Sequence, residues 1–339
     1  MLGRQLRGVS RSFYLTLRAL PDAMREPVGI AYLLARAADT IADTATLPAE
    51  QRLADLQQLK AAIVDGRCTD SLLAIAERAR GVLDHPAEQR LLDSLPQLLR
   101  LYHQSSAQQR HLIEKVTSTL IAGMEQDLQT FSTTTAEQPG ALREAQQLDH
   151  YTYLVAGCVG EFWTDIAVTH EPALKVWNAD KYAAWGISFG KALQLTNVLR
   201  DVAKDLRCGR CYLPEQQLEQ AGLTPQDLLR VETGTVARPL LVEWTKRALD
   251  YYEDAEEYVL GIPRQCYRLR LASLWPLLIG LSTLEQLLRH DAWLDPDKPA
   301  KVSRHWIYRM IALSSVAVCS DFLLRRWIYA LRRNVQLAL

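Results

Sequence analysis

Apolar residues recur at helical spacing along almost the whole chain, as in Ile30, Leu33, Leu34, Ala37, Ala38 and Ile41, or Leu91, Leu92, Leu95, Leu98, Leu99 and Tyr102. A period near 3.6, without long runs of alternating β-branched residues, predicts helices and not strands. Pro, Asn, Asp, Gly, Ser and Thr cluster at 44–48, 66–70, 132–140, 170–180, 208–214, 233–239 and 291–299. These clusters read as breaks between helices. None of them is a Gly/Ser-rich or Pro-rich tract long enough for an interdomain linker. The pattern predicts an all-α fold, a single domain over residues 1–339 whose helices share one core.

The longest stretches free of charge run from Leu271 to Leu284 and from Met310 to Ser320. Both are shorter than the roughly 18 to 20 residues of a spanning helix, so no transmembrane helix is predicted. The charged N-terminus is not followed by an apolar segment, and no secretory signal is expected.

Two segments carry a polar stripe on an otherwise apolar helix. Tyr32, Arg36, Asp39 and Asp43 follow one another at spacings of 4, 3 and 4, and Gln194, Asn197, Asp201 and Asp205 at 3, 4 and 4. Such spacings place each set on one helix face. With apolar neighbours such as Leu33, Leu34, Val198 and Leu199 around them, the stripes are expected to face an internal polar cavity and not solvent. Two carboxylates one turn apart repel each other unless a cation lies between them, and an all-oxygen donor set selects Mg²⁺ or Mn²⁺. Mg²⁺ prefers one or two carboxylates completed by water and substrate phosphate. Arg36 and Arg200 accompany the stripes, and Arg207 and Arg210 follow the second. Guanidinium forks suit phosphate. Acid pairs with arginines are what the departure of a diphosphate requires. A lone Asp-x-x-x-Asp is ordinarily a solvated pair; the repetition of the whole stripe is what points to chemistry.

Composition narrows the choice. The chain has 39 Lys+Arg against 39 Asp+Glu and is 48% hydrophobic and 23% charged, an ordinary globular balance that does not suit nucleic acid as the main partner. Six cysteines without dense spacing read as reduced thiols of a cytoplasmic protein. The lone Cys208-x-x-Cys211 lacks the second ligand pair a zinc site needs. No serine-hydrolase, P-loop, dinucleotide-binding or zinc-protease signature is present.

Five segments in order resemble the squalene/phytoene synthase family, the head-to-head prenyl transferases. They are Ser10-Arg11-Ser12-Phe13, Ala35 to Asp43, Tyr151 to Gly160, Gln194 to Asp201, and Tyr212-Leu213-Pro214. The resemblance implies an isoprenoid-synthase-type helical bundle around a central cavity. It places Asp39 with Asp43, and Asp201 with Asp205 and Asn197, on Mg²⁺ bound to two prenyl diphosphates. Arg11, Tyr32, Arg36, Gln194, Asn197, Arg200 and Tyr212 then bind or orient the diphosphates, and Tyr151 serves proton transfer while a cyclopropyl intermediate forms. A phenol of pKa near 10 needs help from a neighbouring diphosphate or carboxylate for that role. Val155 and Val159, four apart on the tyrosine's helix, are placed on the hydrocarbon channel, with helix-core packing as the alternative.

Family members differ in whether the intermediate is reduced by NADPH. Tyr267-Arg268-Leu269-Arg270 and Ala300-Lys301-Val302-Ser303-Arg304 resemble the squalene synthase branch, which implies Lys301 and Arg304 on NADPH and two farnesyl diphosphates as substrate. The second acidic motif, Asp-Val-Ala-Lys-Asp, is closer to phytoene and bacterial members, and the membrane anchor of eukaryotic squalene synthases has no counterpart here. Synthesis of presqualene diphosphate, dehydrosqualene or phytoene is the alternative; an assembly or lipid-carrier protein is the non-enzymatic one. Phe322 to Arg333 mixes aromatic residues with four arginines, the make-up of a helix lying on anionic lipid at the inner face of a membrane or of a last core helix with snorkelling arginines.

Overall fold

The structure, a computed structural model, describes residues 6, 8–9, 13–66, 69–83 and 85–339. It is helical nearly throughout, as the periodicity predicts. The chain divides into two compact units, residues 1–132 with 162–172, and residues 133–161 with 173–339.

In the first unit the helices are α1 (Phe13–Ala19), α2 (Asp22–Asp43), α3 (Ala49–Asp65), α4 (Thr69–Ala79), α5 (Pro86–Asp93), α6 (Leu95–Gln104) and α7 (Ala107–Thr130). Ile30, Leu33, Leu34, Ala37, Ala38 and Ile41 of α2 are buried, as are Ile113, Val116, Leu120 and Ile121 of α7, and the two helices pack on each other. A capping box between Ser106 and Gln109 starts α7 by satisfying its free N–H groups. The apolar run 91–102 is two helices and not one. The chain turns at Ser94, where Pro96 lacks the N–H that a continuous helix would require.

The second unit begins with β1 (Gly140–Ala141) and α8 (Ala145–Thr152), which passes through a π-helical turn, Tyr153–Gly157, into α9 (Cys158–His170), whose residues from Phe162 onward belong to the first unit. Then come α10 (Ala179–Leu206), β2 (Arg210–Cys211), α11 (Glu215–Gln220), α12 (Gly234–Gly261), α13 (Tyr267–Leu288), α14 (Arg304–Ala317) and α15 (Asp321–Ala338). The two-residue strands pair in parallel, Gly140 with Arg210 and Ala141 with Cys211. The periodicity reading has no place for this pair. At the core, α10, α12 and α13 meet where the Tyr252 hydroxyl lies 2.9 Å from Thr196 Oγ1 and against Gly280. Helix α13 contains the charge-free run from Leu271. At 22 residues it is long and apolar enough to span a bilayer, but 72% of its most apolar 18-residue stretch is buried within the protein.

Arg270 on α13 has no exposure at all, and it holds the start of α15 by an ion pair to Asp321 and a 3.0 Å hydrogen bond to the Val318 carbonyl. Arg264 binds the other Asp321 oxygen at 2.6 Å, and the two guanidinium groups hold the Asp321 pKa down at about 2. Asp321→Asn leaves a buried cation without its counter-charge and is expected to cost about 2 kcal/mol, below the range for fully buried pairs because Asp321 remains part-exposed. A lowered carboxylate pKa adds stability above the unfolded value near 3.9 and forfeits it as pH falls. Denaturant midpoints of wild type and variant are therefore expected to differ at pH 7 and to converge between pH ~4 and the folded value of about 2.

Candidate active site

Each of the two acidic stripes belongs to one unit. In the first unit, Tyr32, Arg36, Asp39 and Asp43 lie along α2. Arg36 Nη1 donates to Asp39, and its Nη2 donates to Glu88 Oε1 on α5 at 2.6 Å. Burial pulls the Arg36 pKa down, Asp39 and Glu88 outweigh it, and the net shift is upward. Its Nε is buried without a hydrogen-bond acceptor. Tyr32 donates to the Val9 carbonyl at 3.3 Å. Its pKa is raised, chiefly by burial and in part by Asp39, against the opposing pull of Arg36. Asp43, at the end of the helix, is exposed. Arg11 lies outside the described residues.

In the second unit, α10 carries Gln194, Asn197, Arg200, Asp201 and Asp205, all partly exposed within a helix whose Leu195, Val198, Leu199 and Val202 are buried. Arg200 grips Asp201 with a fork, Nε to Oδ1 at 2.8 Å and Nη2 to Oδ2 at 2.5 Å. These hydrogen bonds raise the Arg200 pKa against desolvation, with Asp205 adding to the effect. The same polar face continues to Lys191, three residues before Gln194. Its ammonium binds Asp149 at 2.6 Å, and Tyr251 of α12 donates its hydroxyl to the same carboxylate. Burial pushes the Asp149 pKa up, but Lys191, Tyr251 and Arg247 overcome it and hold the group ionised.

Tyr151, two residues beyond Asp149, stacks on Tyr212 with ring centroids 4.7 Å apart and planes 17° from parallel. Tyr212 is brought there by the turn that ends α10, in which Gly209 takes φ +80 and β2 pairs with β1. A side chain at Gly209 would be strained in that region and would meet Thr134 Oγ1 at 2.9 Å. Val155 and Val159 are both half-buried. Val155 sits in the π-helical turn, where the i→i+5 pattern replaces the α-helical one. Simple counting by four between these valines therefore does not hold.

The π turn is pressed against α10 through glycines. A Cβ on Gly190 would run into the Ala156 carbonyl, with the carbonyl carbon at 2.7 Å and Gly157 Cα at 2.9 Å. A Cβ on Gly160 would run into the Gly186 carbonyl. The segment bearing Tyr151 and the helix bearing Asp201 thus touch backbone to backbone.

Lys301 and Arg304 are exposed and stand before and at the start of α14, where the Ser303 hydroxyl caps the helix by accepting from the Trp306 N–H. Of the Cys208 and Cys211 pair, Cys211 is buried, and burial pushes its thiol up to about 12, a protonated state unsuited to metal binding.

The donor chemistry fits magnesium in one way only. Among the described residues no group of three or more His, Cys, Asp or Glu converges on a point. Each stripe therefore offers a carboxylate pair whose cation shell must be completed by water and phosphate oxygens, the habit of Mg²⁺ and not of a closed protein cage. Arg36 and Arg200 neutralise the first aspartate of each pair, Asp39 and Asp201.

The family model described as squalene/phytoene synthase matches residues 6–306. The chain belongs to the squalene/phytoene synthase family. Among curated relatives, the bifunctional lycopene cyclase/phytoene synthase of Podospora anserina is 26% identical over 266 residues, 77% of this chain and 42% of that one. Phytoene synthase 2 of Zea mays is 38% identical over 138 residues, covering 41% of this chain and 32% of the relative. The chain spans about two-fifths of the length of the curated relatives it matches. The solved structure of TcSQS with the ligand E5700 superposes with a TM-score of 0.77 at 19% identity, covering 100% of this chain and 98% of that one. A dehydrosqualene synthase in complex with ligand gives 0.60 at 21% identity over 92% of this chain and 93% of that one. The fold is therefore that of the family's all-α synthases.

Sequence reasoning found both stripes but missed Glu88, 52 residues from Arg36, for which the sequence carries no signal. Lys191 was legible as the next position of the second stripe. The paired glycines 157 and 160, against 186 and 190, were legible as small residues at helical spacing.

Proposed function

We propose that the protein joins two prenyl diphosphates head to head through a cyclopropylcarbinyl diphosphate. The observation that carries this reading is the repeated stripe, a carboxylate pair with a guanidinium on its first aspartate, on α2 and again on α10. Bound Mg²⁺ would supply charge stabilisation for the departing diphosphate. Asp39 and Asp43 would hold it on α2, and Asp201, Asp205 and Asn197 would hold it on α10. As phosphate arrives, Arg36 and Arg200 exchange their carboxylate partners for diphosphate oxygens. Glu88 keeps hold of the second Nη of Arg36, so its fork stays in place during the exchange. Tyr32, Gln194 and Tyr212 are assigned to the diphosphates by the family resemblance. Arg11 is assigned with them on sequence grounds.

One diphosphate leaves with its C–O electron pair, giving an allylic cation. The double bond of the second substrate attacks that cation, and loss of a proton closes the cyclopropane ring. Tyr151 is assigned that proton by the family resemblance, and the stack on Tyr212 holds its ring. Loss of the second diphosphate gives a cyclopropylcarbinyl cation, rearrangement of that cation breaks the cyclopropane ring, and loss of another proton ends the reaction in a linear polyene. The names of the curated relatives favour this non-reducing ending, with geranylgeranyl or farnesyl diphosphate as substrate.

A second reading ends in hydride transfer from NADPH and gives squalene from farnesyl diphosphate. Its support is Lys301 and Arg304, two exposed cations at a helix start, where free backbone N–H groups also suit phosphate.

Purified protein with Mg²⁺ and either farnesyl or geranylgeranyl diphosphate, with and without NADPH, separates the readings by gas chromatography and mass spectrometry. The expected result is inorganic diphosphate release and a product of twice the substrate's carbon number. The same product with and without NADPH supports the proton-loss ending. Squalene formed only with NADPH replaces it with the second reading. No diphosphate release from either substrate overturns the proposal and leaves a carrier or assembly role.

A further inference from the structure

We propose that α14 and α15 form a docking surface for an anionic lipid bilayer. Residues 304–339 hold six arginines and one carboxylate, Asp321, whereas the rest of the chain has 33 basic residues against 38 acidic ones. The one carboxylate is neutralised by Arg264 and Arg270. Arg332 is tied to Glu253 and Glu256, and Arg325 to Glu257. Arg304, Arg309, Arg326 and Arg333 make no ion pair among the described residues. A neutral molecule with its positive charge gathered at one place is oriented by an anionic surface, which attracts that place and repels the remainder.

The apolar side chains gather there as well. Of the fifteen large apolar side chains exposed among the described residues, eight lie in this segment, although it is about a tenth of the chain. Helix α14 buries only Met310 and Ser314, leaving Tyr308 69%, Leu313 50% and Val316 73% exposed. Helix α15 keeps an inner stripe of Leu324, Ile328, Leu331 and Val335 in the core. Its outer stripe, Phe322, Arg326, Tyr329, Arg333 and Leu337, is apolar and basic in alternation and lines an open groove of about 790 Å³. A helix that only closed the core would carry mixed charges on that face. Aromatic rings with arginines between them suit the boundary of headgroup and hydrocarbon, where rings insert and guanidinium groups meet lipid phosphate.

The surface gives a reason for water-insoluble substrate and product to reach the protein, and to that extent it rests on the proposed prenyl chemistry. The test does not. Full-length protein is floated with vesicles of phosphatidylcholine alone and of phosphatidylcholine mixed with phosphatidylglycerol. Binding to the anionic vesicles is expected, with release as salt is raised. The pair Arg326→Glu and Arg333→Glu is expected to lower vesicle affinity about tenfold or more. The pair Phe322→Ser and Tyr329→Ser tests the apolar half and leaves the inner stripe intact, so circular dichroism should be unchanged. No binding to either vesicle, equal binding to both, or binding unaltered in both variants overturns the proposal. Vesicle binding without any diphosphate release overturns the enzymatic reading alone.

Discussion

Asp201→Asn is expected to reduce Mg²⁺-dependent diphosphate release at least about a thousandfold, equivalent to roughly 4 kcal/mol of transition-state stabilisation. Both oxygens of Asp201 are engaged by Arg200, at 2.8 and 2.5 Å. An amide keeps the shape of the carboxylate but accepts at one atom only, and it has no charge to offer a hard cation. Arg200 then stands beside Asp205 with one negative neighbour fewer, and the local balance that draws a cation turns against it. Asp39→Asn is expected to behave alike, since Arg36 remains held by Glu88 at 2.6 Å while its other partner loses its charge. Two readouts keep this separate from misfolding. Thermal stability should change little, because both aspartates are part-exposed. Calorimetric titration with Mg²⁺ and inorganic diphosphate should lose its heat. Turnover within tenfold of wild type in either variant would mean that the aspartates do not hold the metal.

What could be read in advance depended on whether a residue's partner lies along the same helix. The stripes on α2 and α10 were legible because one helix fixes the geometry of residues three and four apart, and the buried faces around them follow from the same period. The contacts of Arg36 with Glu88, and of Lys191 with Asp149, join different helices. No periodicity encodes such a pairing. The break at Ser94 was written in Pro96, yet the apolar count ran across it. The π turn at Tyr153–Gly157 was illegible for another reason. Tyr-Leu-Val-Ala-Gly suits an α-helix as well as a π turn, and its shape follows from how closely α10 passes it. The family resemblance supplied roles for Tyr151 and Tyr212, and only the three-dimensional arrangement shows their rings stacked.

That close passage makes Gly190→Ala one of the most damaging single methyl additions expected in the second unit. Alanine favours a helix interior over glycine by about 1 kcal/mol, so propensity alone would make the change stabilising. The added carbon, however, would lie 2.7 Å from the Ala156 carbonyl carbon and 2.9 Å from Gly157 Cα. Both are backbone atoms that cannot turn aside as a side chain does. Either α10 moves off the π turn or the turn itself deforms, and overpacking of this kind costs about 3 kcal/mol or more. Tyr151 rides on one of the two elements and Asp201 on the other, so a shift near 1 Å is expected to lower turnover about a hundredfold in the molecules that still fold. Gly29→Ala in α2 is the control. The nearest atom to its added carbon is the flexible Leu6 Cδ1 at 3.4 Å, and the variant is expected to match or exceed wild-type stability. Denaturant midpoints for the two variants should therefore move apart, with turnover lost only in Gly190→Ala. Equal stability of that variant and wild type would mean that α10 and the π turn are not in backbone contact.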